Sequence, residues 1–186
     1  VAISDVAEFL EAKHVVEEQK EPPDNPTWIT KKCEEKKSYI TKKCKDKDTS
    51  GLLVVAKHDR SHLYVSSQVK ERKIKKGYTA LVWGTPKVSS GVIDGPIGRD
   101  PSNRKRMAVV SDGRESITNY RVLRSGKEVS LLEVFPETGR THQIRVHLLA
   151  IGHPVVGDAV YGRKKGVSAG RQFLHAHILG FCLPVD

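Results

Sequence analysis

The stretch Glu137-Thr-Gly-Arg-Thr-His-Gln-Ile-Arg-Val-His147 constrains this chain more than any other. Pro136-Glu-Thr-Gly139 reads as a tight turn, with Gly139 expected to take a positive φ. Thr141 then serves as the expected N-cap of a helix, because Ile144, Leu148 and Ile151 recur at helical spacing and give one apolar face. Gly152 followed by His153-Pro154 ends that helix, glycine supplying the C′ position and proline forbidding continuation. Arg140 at the entrance and Arg145 one turn in are placed to hold an anion near the positive end of the helix dipole. A surface helix carrying solvated arginines fits the same spacing, so the stretch fixes a turn and a helix before it fixes a site.

At 186 residues the chain is expected to form one domain, large enough for a proper core. A net charge of +10 on a folded chain points to a polyanionic partner, nucleic acid or a membrane surface. No apolar run approaches transmembrane length, so a membrane is not the expected partner. Cys33, Cys44 and Cys182 are odd in number and lack metal-site spacing, which fits a reducing cytoplasm better than a disulfide framework. No metal or other cofactor is expected. The histidines at 142, 147, 153, 175 and 177 show neither His-Glu-x-x-His nor Cys/His finger spacing. The chain starts at Val1 rather than Met and stops just after a strand pattern, so it reads as part of a longer protein.

Residues 1–45 carry no recognisable motif. Glu21-Pro-Pro-Asp-Asn-Pro26 is a break, and 31–47 is a charge run with the pattern of a solvated loop. From residue 46 the organisation sharpens. Gly51-Leu-Leu-Val-Val-Ala56 predicts a buried strand, and a helix capped by Asp59 or Ser61 follows with His62, Val65 and Val69 inward. Tyr78 to Trp83 predicts a strand closed by Gly84. Residues 91–106 read as a long glycine- and proline-punctuated loop carrying Arg99, Arg104, Lys105 and Arg106, basic residues that could track a phosphate backbone. Ile117–Leu123 and Val129–Phe135 alternate as a hairpin, 162–166 is a second basic loop, and Phe173–Leu183 is a final strand. Hairpins mixed with a few helices argue an α+β class.

Thr138-Gly-Arg-Thr-His-Gln-Ile-Arg-Val-His147, with Gly152-His-Pro-Val-Val-Gly-Asp158 and Tyr161-Gly162 behind it, closely resembles the signature of the RluA-class pseudouridine synthases. Asp46-Lys-Asp-Thr-Ser-Gly-Leu-Leu-Val-Val-Ala-Lys57 resembles the catalytic-aspartate motif of the same class, and Lys76-Gly-Tyr-Thr-Ala-Leu-Val-Trp-Gly84 stands between them as its third block. Three long motifs in the family's order are far more specific than one. The resemblance runs over roughly residues 46–182 and points to RluD-like members acting on large-subunit ribosomal RNA. It implies the pseudouridine-synthase fold: a long, mostly antiparallel mixed sheet with flanking helices and a central RNA-binding cleft. The implied partner is RNA, ribosomal RNA in particular, and the expected state is a monomer.

Isomerising uridine to pseudouridine cleaves an N-glycosidic bond, turns the base while it stays held, and joins C5 to C1′. The chemistry needs a carboxylate beside the sugar, as nucleophile or as base, together with a proton acceptor for C5, a polar grip on the base and exclusion of water. By the resemblance, Asp46 is the catalytic aspartate; spacing alone would not choose it over Asp48. Tyr78 matches the active-site tyrosine that packs on the target base and assists deprotonation, although as a residue it is also an ordinary strand aromatic. Arg145 matches the basic residue that pairs with the aspartate and fixes its rotamer. A uridine that leaves its stack must be held by other contacts, and Arg140, His142 and the basic residues of 99–106 are the candidates.

The resemblance is uneven. Lys43-Cys44-Lys45 stands where the family has His-Arg-Leu, and Cys44 cannot supply the planar cation that helps flip or replace the target nucleotide. All 15 glycines lie at Gly51 or later and no arginine precedes Arg60, whereas about four glycines would be usual in the first fifty residues. Taken as written, residues 1–45 are expected to pack badly, with charged side chains at buried positions.

Overall fold

The computed structural model describes residues 28–32, 46, 48–56, 59–163 and 170–182. The expectation of bad packing in 1–45 lies outside the described residues, as does most of the basic loop 162–166. Nine strands and two helices are described: β1 Trp28–Lys32, β2 Ser50–Ala56, α1 Asp59–Lys70, β3 Lys75–Trp83, β4 Ser90–Asp94, β5 Ile97–Arg99, β6 Met107–Val109, β7 Ile117–Ser125, β8 Val129–Pro136, α2 Gln143–Ala150 and β9 Leu174–Gly180. Seven strands form one mixed sheet in the order β1-β2-β9-β3-β8-β7-β4, and β5 with β6 makes a separate ribbon. Every pair in the large sheet is antiparallel except β2 with β9. The α+β class and the mostly antiparallel mixed sheet agree with the sequence.

β3 is central because it can be covered on both faces. Ala80, Leu81, Val82 and Trp83 are all buried, and alternate side chains leave on opposite sides. Ala80 and Val82 join Tyr120, Leu132 and Val134 under Ile144 and Leu148 of α2. Leu81 and Trp83 pack with Val129 and Val156 on the other face. The apolar face anticipated for α2 is thus the main core contact. Ile151 packs against the same cluster, and Gly152 takes φ 83° beyond it.

Four local expectations change. Gly139 does not adopt positive φ; the left-handed residue is His142, at φ 57°, and it rather than Thr141 is the N-cap. Its side chain makes no capping hydrogen bond to the helix. The buried Gln143 ties the turn instead: its Oε1 accepts from the Arg140 amide at 2.9 Å and from Thr138 Oγ1 at 2.7 Å. α1 buries Ser61 and Gln68 rather than His62 and Val69, because Gln68 exchanges two hydrogen bonds with the backbone of Cys182, at 2.9 and 2.8 Å. β2 is half-buried rather than buried, lying near the edge of the sheet with Leu52 exposed. Residues 91–106 are not one loop: Ile93 turns inward to make β4 an edge strand, and buried Ile97 anchors the β5–β6 ribbon.

Candidate active site

A cleft of about 460 Å³ opens where β2, β3 and the turn into α2 meet. Asp46, Thr49, Lys76, Tyr78, Arg140 and His142 are among the residues that line it. Asp46 reaches it because β2 runs unusually close to β9. Gly51 has φ 108°, and a Cβ there would lie 2.1 Å from the Ala176 carbonyl oxygen, so only glycine permits this approach. The turn before β2 is thereby laid against the start of β9.

Asp46 Oδ1 accepts from Arg145 Nη1 at 3.0 Å and from Gln172 Nε2 at 2.6 Å. Among the described residues Oδ2 has no partner, and the side chain keeps 25% of its surface exposed. One carboxylate oxygen is therefore fixed, on a side chain that lines the cleft. Arg145, behind the cleft wall, is held harder still. Its Nε and Nη2 each donate at 2.7 Å to the two oxygens of Asp158, a fork-to-fork pair with both side chains buried. Asp158 Oδ1 also accepts from the amides of Val160 and Tyr161, at 2.8 and 2.9 Å. Burial by itself pushes the Asp158 carboxyl up, but the Arg145 hydrogen bonds and the two amides outweigh it and hold its pKa below the usual value. Arg145 answers in kind: burial pulls it down, and the Asp158 bonds with the Asp46 charge carry it above its ordinary value.

The Tyr161 ring lies against the same guanidinium, 5.0 Å from centroid to carbon, and Arg106 stands at an equal 5.0 Å from that ring. Tyr161 Oη accepts from the Met107 amide at 2.9 Å and lies 3.0 Å from His142 Nδ1. Tyr78 lines the cleft from β3, and burial, reinforced by the Asp46 charge, raises its phenol above the usual pKa. Tyr78 is therefore a neutral hydroxyl over an apolar ring at ordinary pH, able to stack and hydrogen-bond but not a standing phenolate base.

The structure thus brings Asp46, Tyr78 and Arg145 together, and Arg140 and His142 line the same cleft. Arg140 Nε donates to the Glu115 carbonyl at 3.0 Å. Arg99, Arg104, Lys105 and Arg106 do not line it. Arg99 donates to the Arg104 carbonyl at 3.0 Å on the exposed ribbon, and Arg106 is drawn onto Tyr161 with its Nε buried and unpartnered. Three supporting residues had no assigned role. Asp158 and Tyr161 stand in quoted motif blocks, and that position was the available signal. Gln172 lies in no motif, and nothing in the sequence marks it.

The sheet thus opens on a cleft whose walls carry an acid pinned at one oxygen, a neutral tyrosine and the basic side chains of Lys76 and Arg140. The chain belongs to the RNA pseudouridylate synthase family, whose profile matches residues 17–150. The match begins well before Asp46, so it extends into the segment where the sequence shows no recognisable motif. An uncharacterized RNA pseudouridine synthase of Chloroflexus aurantiacus is 55% identical over 138 residues, covering 74% of this chain and 43% of the relative. The ribosomal large subunit pseudouridine synthase D of Zymomonas mobilis is 47% identical over 149 residues, covering 75% and 47%. The structure of human RNA Pseudouridylate Synthase Domain Containing 1 superimposes with a TM-score of 0.66 at 35% identity, covering 81% of this chain and 63% of that one. The chain spans less than half the length of these curated relatives.

Proposed function

We propose that this chain is the catalytic part of an RNA pseudouridine synthase that isomerises uridine in large-subunit ribosomal RNA. The observation that carries the reading is Asp46, fixed through Oδ1 by Arg145 and Gln172 and lining the cleft that Tyr78 also lines. Asp46 acts at the sugar, as nucleophile on C1′ or as base on its neighbour, and the glycosidic electron pair leaves with the base. Tyr78 packs on the freed uracil and keeps it in place while it turns. C5 then bonds to C1′, displacing the Asp46 carboxylate on the nucleophilic route, or adding to the C1′=C2′ bond as Asp46 returns its proton to C2′ on the base route. The C5 proton leaves through the Tyr78 hydroxyl or a water it orients, and N1 takes up a proton. Arg145 is a positioning residue, since Asp158 locks it behind the wall and it touches the substrate only through Asp46. Ribosomal RNA is favoured by two similar proteins named ribosomal large subunit pseudouridine synthase D, and by the chain's net charge of +10.

A second reading is an RNA-binding protein with the same scaffold and impaired turnover, and Lys43-Cys44-Lys45 in place of His-Arg-Leu favours it. Incubating the protein with unmodified large-subunit ribosomal RNA and mapping pseudouridines separates the two. New pseudouridine at one or a few positions supports the enzyme; tight binding with no new pseudouridine supports the second reading.

A further inference from the structure

Lys76 lies on β3 two residues before Tyr78, next to the bulge that shifts the register between Gly77 and Tyr78, and its side chain lines the cleft. Its Nζ donates to the Thr138 carbonyl at 3.3 Å. Among the described residues no carboxylate lies within salt-bridge reach of it. An ammonium has three hydrogens to place, and the carbonyl uses one. Burial drags this lysine below its ordinary pKa, and among the described residues no anion offsets the loss of water. The cation nearest to Asp46 is spent: Arg145 is shared between Asp46 and Asp158. Gly139 lies beside Nζ and adds no side chain there. A Cβ built there would meet nothing nearer than that nitrogen, at 3.7 Å.

We propose that Lys76 Nζ is the anion site of the cleft and takes a phosphate of the nucleotide whose base lies on Tyr78. Two residues of strand separate the side chains by about 6–7 Å. That reach exceeds the width of a base stacked on the ring and matches a group one sugar away. The cleft volume of about 460 Å³ suits a single nucleotide. The inference rests on the nucleotide-handling function proposed above, but its test does not need turnover.

Ligand-observed NMR would compare uridine, uridine 5′-monophosphate and uridine 3′-monophosphate on wild type, Lys76→Met and Lys76→Arg. A charge-assisted bond predicts that wild type binds one monophosphate roughly tenfold more tightly than uridine. Lys76→Met should bring that ratio near one with uridine affinity unchanged, whereas Lys76→Arg, which keeps the charge, should keep most of it. Three results overturn the assignment: no monophosphate preference or no binding in wild type, a preference that survives Lys76→Met, or an equal loss of all three ligands. The last would mean that Lys76 holds the Thr138 turn or the base instead. A protein that binds nucleotides through Lys76 yet leaves ribosomal RNA unmodified would keep this inference and sink the enzyme reading.

Discussion

Replacing Asp158 by Asn removes the charge that holds Arg145 without changing the shape of the side chain. In the wild type both oxygens accept from the guanidinium at 2.7 Å, and the pair is almost wholly shielded from water. The variant leaves Arg145 with Asp46, one bond at 3.0 Å to a partly exposed acid, and with the Tyr161 ring. Breaking one side of a buried pair costs about 3–5 kcal/mol, and the surviving Asp46 contact puts this case at about 3. Against a typical domain stability of roughly 5–15 kcal/mol that is a large fraction. Urea unfolding followed by far-UV circular dichroism at pH 7 should show the midpoint falling with the slope unchanged. The pH dependence adds a second check. The folded pKa of Asp158 lies below its unfolded value of 3.8, so its contribution is complete above that value and is lost as pH falls through the folded one. The gap between wild type and variant should therefore narrow between pH 5 and pH 3. A cost under about 1 kcal/mol at pH 7, or a gap indifferent to pH, would refute the reasoning.

Gln172→Ala frees the Asp46 rotamer and should lower kcat by roughly 10–100-fold with RNA affinity kept, as single-turnover assays would reveal. Tyr78→Phe should retain binding and cost on the order of 10²-fold in kcat if the hydroxyl moves the C5 proton, while unchanged turnover would leave the ring with packing alone. His147 is fully buried between Thr118 Oγ1 and the Gly95 carbonyl, each at 2.9 Å, so Nε2 carries the hydrogen. Burial lowers its pKa despite the Gly95 bond. Its contribution is complete above the unfolded value of 6.5 and falls as pH drops below it; melting curves from pH 7.5 to 5 should show that slope, flattened in His147→Gln.

How much of this was legible follows from what the residues encode locally. α2 could be read because Ile144 and Leu148 declare a face, and the β7–β8 hairpin because its two β-rich runs pair antiparallel, with one register shift between Val122 and Arg124. The cap could not be read, since a left-handed histidine is exceptional and the turn is tied by the inward-facing Gln143, whose type suggests solvent. Motif resemblance, not periodicity, joined Asp46 to Arg145, which are 99 residues apart. Residues 91–106 misled because glycine and proline punctuate short strands as readily as loops; Ile93 and Ile97 were the inward signals. Gln172 is the plainest gap. Its role exists only because Gly51 lets β2 close on β9 and bring Asp46 within reach.

The central claim is that Asp46 drives an isomerisation at C5 of uridine, and release of the C5 hydrogen tests it most directly. Large-subunit ribosomal RNA carrying tritium at uridine C5 would be incubated with wild type and with Asp46→Asn, and label in the water would be followed. Wild type should release tritium in a stoichiometry set by its target sites. Asp46→Asn should release none above background while binding RNA within a few-fold of wild type. Equal release by both proteins would remove Asp46 from the mechanism, and no release by either would contradict the proposed activity.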